Sequence, residues 1–371
     1  MNFELILGRR SEFFYSGLQE IMFVTRNYKL KNVSIYTIIG TIAGAIIGFL
    51  LHYIDNIDIA GPTLRGLFIG LLIGTTIGLC EEFLFLGRFR NKRYLFLLFF
   101  RTIVYSLFFA FYELLINSFS NFLNNDYTFS QSIHSAIVRE NFPRDLSIIT
   151  FFSLSIIAVL QVRRLHRPGD LIKYITGKYH RPEEADKIFL FLDLKSSTAA
   201  AERLGNVKYS SFLIDYFHDM TDSILMSKAE IYQYIGDEII LSWSFEKGIK
   251  DSRCINCFFD IKNEIGMSRE RYMENYGFHP EFKAALHAGK VSVTWIGSIK
   301  KEIVYHGDVL NTTARIQDEC NKRNQYFLIS EYMLQSVELP VYLKSEFVGE
   351  LQLKGKQKKV KIFGLKTIAE T

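Results

Sequence analysis

Two different hydrophobic periods divide this chain. Four long apolar stretches, 33–54, about 62–86, 94–116 and 146–162, lie in the first half, each close to the ~20 residues that a helix needs to cross a bilayer. The last is the shortest. Residues 1–32 read as an amphipathic segment with scattered charges, without the continuous apolar core of a signal peptide. Beyond 162 the long stretches stop. A polar connector over 163–186, containing Pro168-Gly169, leads into 187–371, where strand-length and helix-length patterns follow each other.

Within that second half, "KIFLFLDL" reads as a buried strand ending at Asp193, "KSSTAAAERLG" opens a helix, and "SSFLIDYFHDMTDSILM" keeps helical spacing. "EIYQYI" and "EIILSW" form a hairpin closed by Gly236-Asp237. A helix is expected over about 251–272, then two strands around Gly289 in "EFKAALHAGKVSVTWIG", then a turn into a helix in "GDVLNTTARIQDEC". This order predicts an α+β sandwich with helices on one face of a largely antiparallel sheet.

Charge adds an orientation. Arg9, Arg10, Arg26, Lys29 and Lys31 precede the first apolar stretch, Arg88, Arg90, Lys92 and Arg93 separate the second from the third, and Arg163, Arg164 and Arg167 follow the fourth. The other two connections hold only Arg65, then Arg139 and Arg144. The positive-inside rule therefore puts both termini and everything after 163 on the cytoplasmic side of the inner membrane. The net charge of +5 is a topology signal, and no nucleic-acid partner is read from it. The four cysteines fit a reducing compartment. Cys254 and Cys257 have redox or zinc spacing, but they fall in a helical stretch without a second Cys/His pair and read as packing thiols.

Two features of the apolar half call for partners. Gly40, Gly44 and Gly48, and likewise Gly66, Gly70, Gly74 and Gly78, recur every four residues and make a smooth face suited to close helix packing. A ligand crevice along these faces is the less expected alternative. Arg101 stands about seven residues inside the third stretch, at a depth similar to Glu81 and Glu82, and is expected to pair with one of them rather than snorkel to the headgroups.

The chemistry lies around Asp193 and Asp237. If the strands they terminate are neighbours, two carboxylates meet at one sheet edge, where they repel unless a cation lies between them. Mg²⁺ or Mn²⁺ bridging substrate phosphates suits such a pair. Lys195, Ser196, Ser197 and Thr198 then lead into a helix N-terminus that favours phosphate. Alone, each Asp would read as a turn or capping residue.

These segments resemble the class III nucleotide cyclases over about 187–366. "FLFLDLKSSTAAAERLG" is similar to that family's first metal motif and "YIGDEIILSW" to its second. "LHAGKVSVTWIGSIKKEIVYHGDVLNTTARI" resembles its glycine turn and dimer arm, and "LKGKQKKVKIFGL" its closing Lys-Gly strand. The four apolar stretches read as a four-span α-helical membrane bundle (33–162), and the resemblance implies that an α+β ferredoxin-like class III cyclase domain (187–371), working as a homodimer, follows it. It implies two Mg²⁺ or Mn²⁺ held by Asp193, Asp237 and the Leu194 carbonyl. Asn311 would orient the ribose, Arg315 would stabilise charge on the α-phosphate, and Lys354 would hold the terminal phosphates. Gln233 and Val304 occupy the base-recognition positions, where adenylyl cyclases usually have Lys and Asp or Thr, and guanylyl cyclases Glu and Cys. A Gln amide can serve adenine or, flipped, guanine; ATP is the favoured substrate. The alternatives are a guanylyl cyclase, a diguanylate cyclase suggested by Gly236-Asp237-Glu238, and a degenerate nucleotide-binding receptor. The membrane bundle is expected to regulate, through a small apolar ligand if it binds one.

Overall fold

The computed structural model describes residues 29–50, 60–85, 94–124, 128–137, parts of 143–155, 170–352 and 359–368. The chain divides into two compact units, Met1–His166 and Arg167–Thr371.

In the first unit, three helices are long and apolar enough to cross a membrane: Lys29–Leu50, Thr63–Phe85 and Leu95–Phe119. The fourth expected stretch, 146–162, falls mostly outside the described residues, so three of the four expected spans are described. Helix α1 (Lys29–Leu50) and helix α2 (Ala60–Leu79) meet along their glycines. A Cβ added at Gly40 would meet Gly74 Cα at 2.7 Å, and one at Gly74 would meet the Tyr36 carbonyl at 2.6 Å. Gly44 and Gly66 face each other even more closely. Only hydrogen side chains permit this approach, and the Thr37–Thr75 hydroxyl pair at 3.1 Å ties the seam. The glycine faces therefore serve packing between α1 and α2.

A π-helical turn, Cys80–Phe85, ends the second span and turns Glu81 and Glu82 inward. Arg101, on helix α3 (Tyr94–Asn124), is 3% exposed, and its Nη1 lies 3.2 Å from Glu81 Oε2. Its guanidinium also sits 4.8 Å from the centre of the Phe85 ring. The Tyr105 hydroxyl donates to Glu81 Oε1 at 2.9 Å, and the Asn32 amide donates to Glu82 Oε1 at 3.1 Å. Arg101 thus pairs with Glu81 and does not snorkel. A further helix of this unit, α4, is short (Phe129–Ile137).

The second unit is an eight-stranded sheet. Its elements run α5 (Asp170–Ile175), β1 (Glu183–Leu194), α6 (Ser197–Leu204), α7 (Asn206–Asp219), α8 (Thr221–Met226), β2 (Glu230–Ile235), β3 (Glu238–Ser244) and α9 (Phe245–Ile249). They continue as α10 (Arg253–Met267), α11 (Arg269–Tyr276), β4 (Phe282–Ile296), β5 (Glu302–His306), α12 (Asp308–Lys322), β6 (Phe327–Ser330), α13 (Glu331–Ser336), β7 (Leu343–Gln352) and β8 (Lys359–Thr367). The strand order is β2-β3-β1-β4-β6-β8-β7, with β5 added to β4. Every pair is antiparallel except β4–β6.

Strand alternation fixes what each face does. Ile188, Leu190 and Leu192 of β1 point into the larger core with Phe212, Tyr216, Phe258 and Ile261 from the helices. Phe189 and Phe191 point the other way, into a cluster with Val291, Val293, Ile303, Tyr305 and Val309.

Three expectations need correction. Helices do not cover one face only, because α12 lies on the second face, where Val309, Ile316 and Cys320 bury their side chains. Residues 282–296 form one unbroken strand rather than two around Gly289. Glycine stands there because Val309 of α12 rests on it, 2.9 Å from where a Cβ would be. The connector also ends earlier than 186. Strand β1 already starts at Glu183, and α5 is part of this unit: Tyr174 packs edge-on to Trp295 at 5.6 Å, and Trp295 Nε1 donates to the Lys178 carbonyl at 2.9 Å.

Cys254 and Cys257 lie in α10 and are buried. Burial pushes both thiols up to about 12, so they stay protonated and pack as apolar groups, as expected.

Candidate active site

The site begins where β1 runs out. Asp193 and Leu194 end the strand, the Lys195 amide donates to the Glu281 carbonyl at 2.8 Å, and Ser196 adopts a left-handed conformation (φ 57°). That sharp turn starts α6 immediately at Ser197. One strand away, Gly236 takes a positive φ of 63° and Asp237 completes a two-residue hairpin, a turn that glycine enters without strain.

Because β1 and β3 are neighbours, the two Asp-bearing ends meet, as the hairpin reading required. Asp193 lies opposite Glu238 on one side and opposite Lys283 on the other. Lys283 Nζ is 3.2 Å from Asp193 Oδ2. Burial pushes the Asp193 carboxyl up; its hydrogen bond with Lys283 opposes this and the nearby Asp237 reinforces it. Glu238 is pushed up to about 7, first by burial, which a hydrogen bond with Gln317 of α12 opposes, and then by Asp193 and Asp237. Asp237 Oδ2 and Glu238 Oε1 are buried without a hydrogen-bond partner. Carboxylate oxygens left in that state are what a divalent cation would satisfy, and hard oxygen donors suit Mg²⁺ or Mn²⁺. The residues present therefore fit a metal, although no ready-made group of three or more acidic, His or Cys ligands occurs among the described residues.

Of the phosphate-side candidates, Ser196 shapes the turn, and Ser197 and Thr198 open α6. The Lys195 ammonium is 3.8 Å from Glu281 and 4.0 Å from the Tyr326 ring centre.

On the base side, β2 contains a bulge between Ile231 and Gln233. Ile231 opposes Leu241, which faces the larger core, whereas Gln233 opposes Ile240, which faces α12. Without the extra residue Gln233 would point into the larger core; the bulge turns it to the face that carries Asp193. Tyr232, the inserted residue, packs against Tyr305 at 4.8 Å. Val304 alternates with Ile303 and Tyr305, which go into the smaller core, and it lies half-buried opposite Thr294. The strand alternation thus gives Val304 and Gln233 opposite faces.

Asn311 and Arg315 lie one turn apart on α12, both exposed, while Thr312, Thr313, Ile316 and Gln317 between and beside them are buried. Among the described residues, no hydrogen bond or ion pair joins them to Asp193 or Asp237. Lys354 lies outside the described residues. Sequence reasoning missed Lys283 and the facing of Glu238. Both depend on strand register, and "EFKAAL" gives no sign that its Lys will stand beside Asp193.

No protein-family model matches the chain. Adenylate cyclase 2 of Rhizobium meliloti (strain 1021) is 36% identical over 210 residues, 57% of this chain. The chain matches 58% of that relative's length. Two structures of a bacterial light-regulated adenylyl cyclase share the fold. One is 19% identical with a TM-score of 0.52, covering 62% of this chain and 67% of that one. The other is 18% identical with a TM-score of 0.51, covering 59% and 64%. The strand order, the paired motif carboxylates and these likenesses lead to one conclusion: this chain is similar to a curated adenylate cyclase and shares its fold with a bacterial light-regulated adenylyl cyclase.

Proposed function

We propose that this chain is a membrane-bound adenylyl cyclase that converts ATP to cyclic AMP and pyrophosphate at a homodimer interface. The observation that carries this reading is the meeting of Asp193 and Asp237 at one sheet edge, with an Asp237 oxygen buried and unsatisfied. Asp193, Asp237 and the Leu194 carbonyl would hold two Mg²⁺ or Mn²⁺. When bound, these ions would supply charge neutralisation at the phosphates and lower the pKa of the ribose 3′-hydroxyl.

The chain's own residues do the rest. The amides at the start of α6, with Ser196, Ser197 and Thr198, receive phosphate oxygens. Asn311 orients the ribose so that its 3′-oxygen lies in line with the α-phosphorus. Arg315 stabilises the charge that builds on the α-phosphate as the new P–O bond forms and pyrophosphate leaves. Lys354 holds the leaving phosphates. The exposure of Asn311 and Arg315 on α12 supports a site completed by a second copy, since exposed side chains can serve a partner's metal end.

Gln233, turned to the catalytic face by its bulge, is the polar group proposed to read the base. Its amide suits the amino and ring-nitrogen edge of adenine; flipped, it would suit guanine, which keeps a guanylyl cyclase as the second reading. The apolar outer faces of the three long helices, such as Ile38 at 58% and Leu107 at 66% exposure, support a place in the bilayer, with the second unit cytoplasmic. Regulation by the membrane unit belongs to the same proposal. A small apolar ligand would have to bind away from the α1–α2 glycine seam.

The test is to incubate the purified full-length protein with Mn²⁺ and either ATP or GTP and to separate the products by chromatography. Cyclic AMP from ATP is the expected outcome. Cyclic GMP from GTP alone selects the guanylyl reading, a cyclic dinucleotide selects a diguanylate cyclase, and bound but unconverted nucleotide selects the degenerate receptor.

A further inference from the structure

The metal reading of Asp193 and Asp237 leaves one carboxylate without a task. Glu238 sits directly opposite Asp193 on β3, and Lys283 directly opposite it on β4. Residues paired in this way have Cβ atoms about 5 Å apart on one face of the sheet. Glu238, Asp193 and Lys283 therefore form a row across three neighbouring strands, on the face that α12 covers, with Asp237 at the hairpin beside it. Three carboxylates share the Lys283 ammonium, which contacts Asp193 at 3.2 Å. Glu238 Oε1 is buried and unsatisfied, as is Asp237 Oδ2.

Such an arrangement is costly for an empty domain. An uncompensated buried carboxylate destabilises a fold, and a Gln or Thr at the same position would fill the space without the charge. A hydrogen bond from Gln317 to Glu238 and the Lys283 ammonium offset part of this cost, and a cation joining the group would offset more of it. Glu238 follows Asp237 directly and stands opposite Asp193, beside the two residues proposed to hold the metal. It acts through its field, which solvent screens only in part because Glu238 is half-buried.

Resting on the metal reading above, we propose that Glu238 is a positioning residue that sets how tightly the Asp193–Asp237 pair holds a divalent cation, with Lys283 as its internal counter-charge. A glutamate on this strand raises the negative potential at the pair, and the lysine limits it, so that the empty site is not so strongly charged that the strand ends separate. The two side chains act in opposite directions on one affinity.

Titration of the full-length protein in detergent with Mn²⁺ alone, without nucleotide, and with free Mn²⁺ read by electron paramagnetic resonance, tests this. Glu238→Gln should bind Mn²⁺ roughly tenfold more weakly, the effect typical of groups that support metal ligands from behind. Lys283→Met should bind it several-fold more tightly, and the double variant should return close to the wild-type affinity. Thermal unfolding without metal checks that each variant folds; should one fail, the other still gives a signed prediction. Asp193→Asn should lose binding. If Asp193→Asn loses binding while Glu238→Gln stays within about twofold of wild type, the inference is overturned and the metal reading stands. Weaker binding by Lys283→Met overturns the counter-charge role. Undiminished binding by Asp193→Asn overturns the metal reading and this inference together.

Discussion

Both units of the chain set a cation against a carboxylate at 3.2 Å, the buried Arg101 against Glu81 in one and the half-buried Lys283 against Asp193 in the other. Their surroundings differ. Around Arg101 the carboxylates are served: the Tyr105 hydroxyl donates to Glu81 and the Asn32 amide to Glu82, while the buried Arg101 Nε and Nη1, which make no hydrogen bond, are left to the ion pair with Glu81 and to the Phe85 ring. Around Lys283 the carboxylates are less fully served. Three carboxylates, two of them with a buried unsatisfied oxygen, stand near one ammonium. A matched buried pair is a structural element that holds helices in register. A mismatched one is incomplete without something that binds, which is why the surplus of charge, more than either ion pair, marks the site.

The comparison is broken most severely by removing each cation. Arg101→Met leaves Glu81 buried without its charge partner and should destabilise the membrane unit by about 3–5 kcal/mol, read as a fall in the melting temperature of the full-length protein in detergent. Replacing both, Arg101→Met with Glu81→Leu, should recover most of that loss, because well-packed apolar residues can substitute for a buried pair. A double variant as unstable as the single one would mean that the pair is not a matched unit.

Packing sharpens the same contrast. Gly70→Leu would drive a side chain into Gly40 and Gly44 of the facing helix and should cost about 3 kcal/mol, with no effect on Mn²⁺ binding by the second unit.

Substrate choice is expected to respond on a smaller scale. Gln233→Glu replaces an amide donor by an acceptor and favours the donor edge of guanine. Losing a positioned hydrogen bond costs ~1–3 kcal/mol, which is about ten- to a hundred-fold in the ATP/GTP selectivity measured by initial rates. An unchanged ratio would remove Gln233 from the base pocket.

The smallest expected effect is a pH dependence. The Glu238 carboxyl is pushed up from 4.5 to about 7 in the folded chain, so between these values the folded state binds the proton more tightly than the unfolded one. Stability attributable to Glu238 is therefore present below 4.5 and lost as pH rises towards about 7. Without metal, Glu238→Gln should be more stable than wild type by about 1 kcal/mol at pH 7.5, allowing for solvent screening of a partly exposed group, and the gain should disappear near pH 4. A gain of the same size at both pH values would assign it to packing.

What could be read in the sequence follows from which interactions are local. The Asp193 strand end, the Gly236-Asp237 hairpin and the α12 helix with Asn311 and Arg315 one turn apart are written in contiguous residues, and the structure has them where the patterns put them. The glycine seam was legible for the same reason, since a four-residue repeat is a helix face. Register and face were not. The bulge at Tyr232, the row Glu238–Asp193–Lys283 and the approach of Val309 to Gly289 arise between strands and helices distant in sequence, and Gly289 imitates a turn because close backbone approach and chain reversal both call for glycine.

The most direct test of the account asks whether its two half-sites belong to different copies of the chain. Asp193→Ala and Arg315→Ala, expressed singly, should each lack cyclase activity or nearly so. Expressed together, random pairing makes about half of the dimers mixed, each with one doubly damaged and one intact site, so roughly a quarter of the wild-type rate of cyclic AMP formation should return. If heterodimers are verified by pull-down and no activity returns, the site is built within one chain, and the roles proposed for Asn311 and Arg315 are wrong.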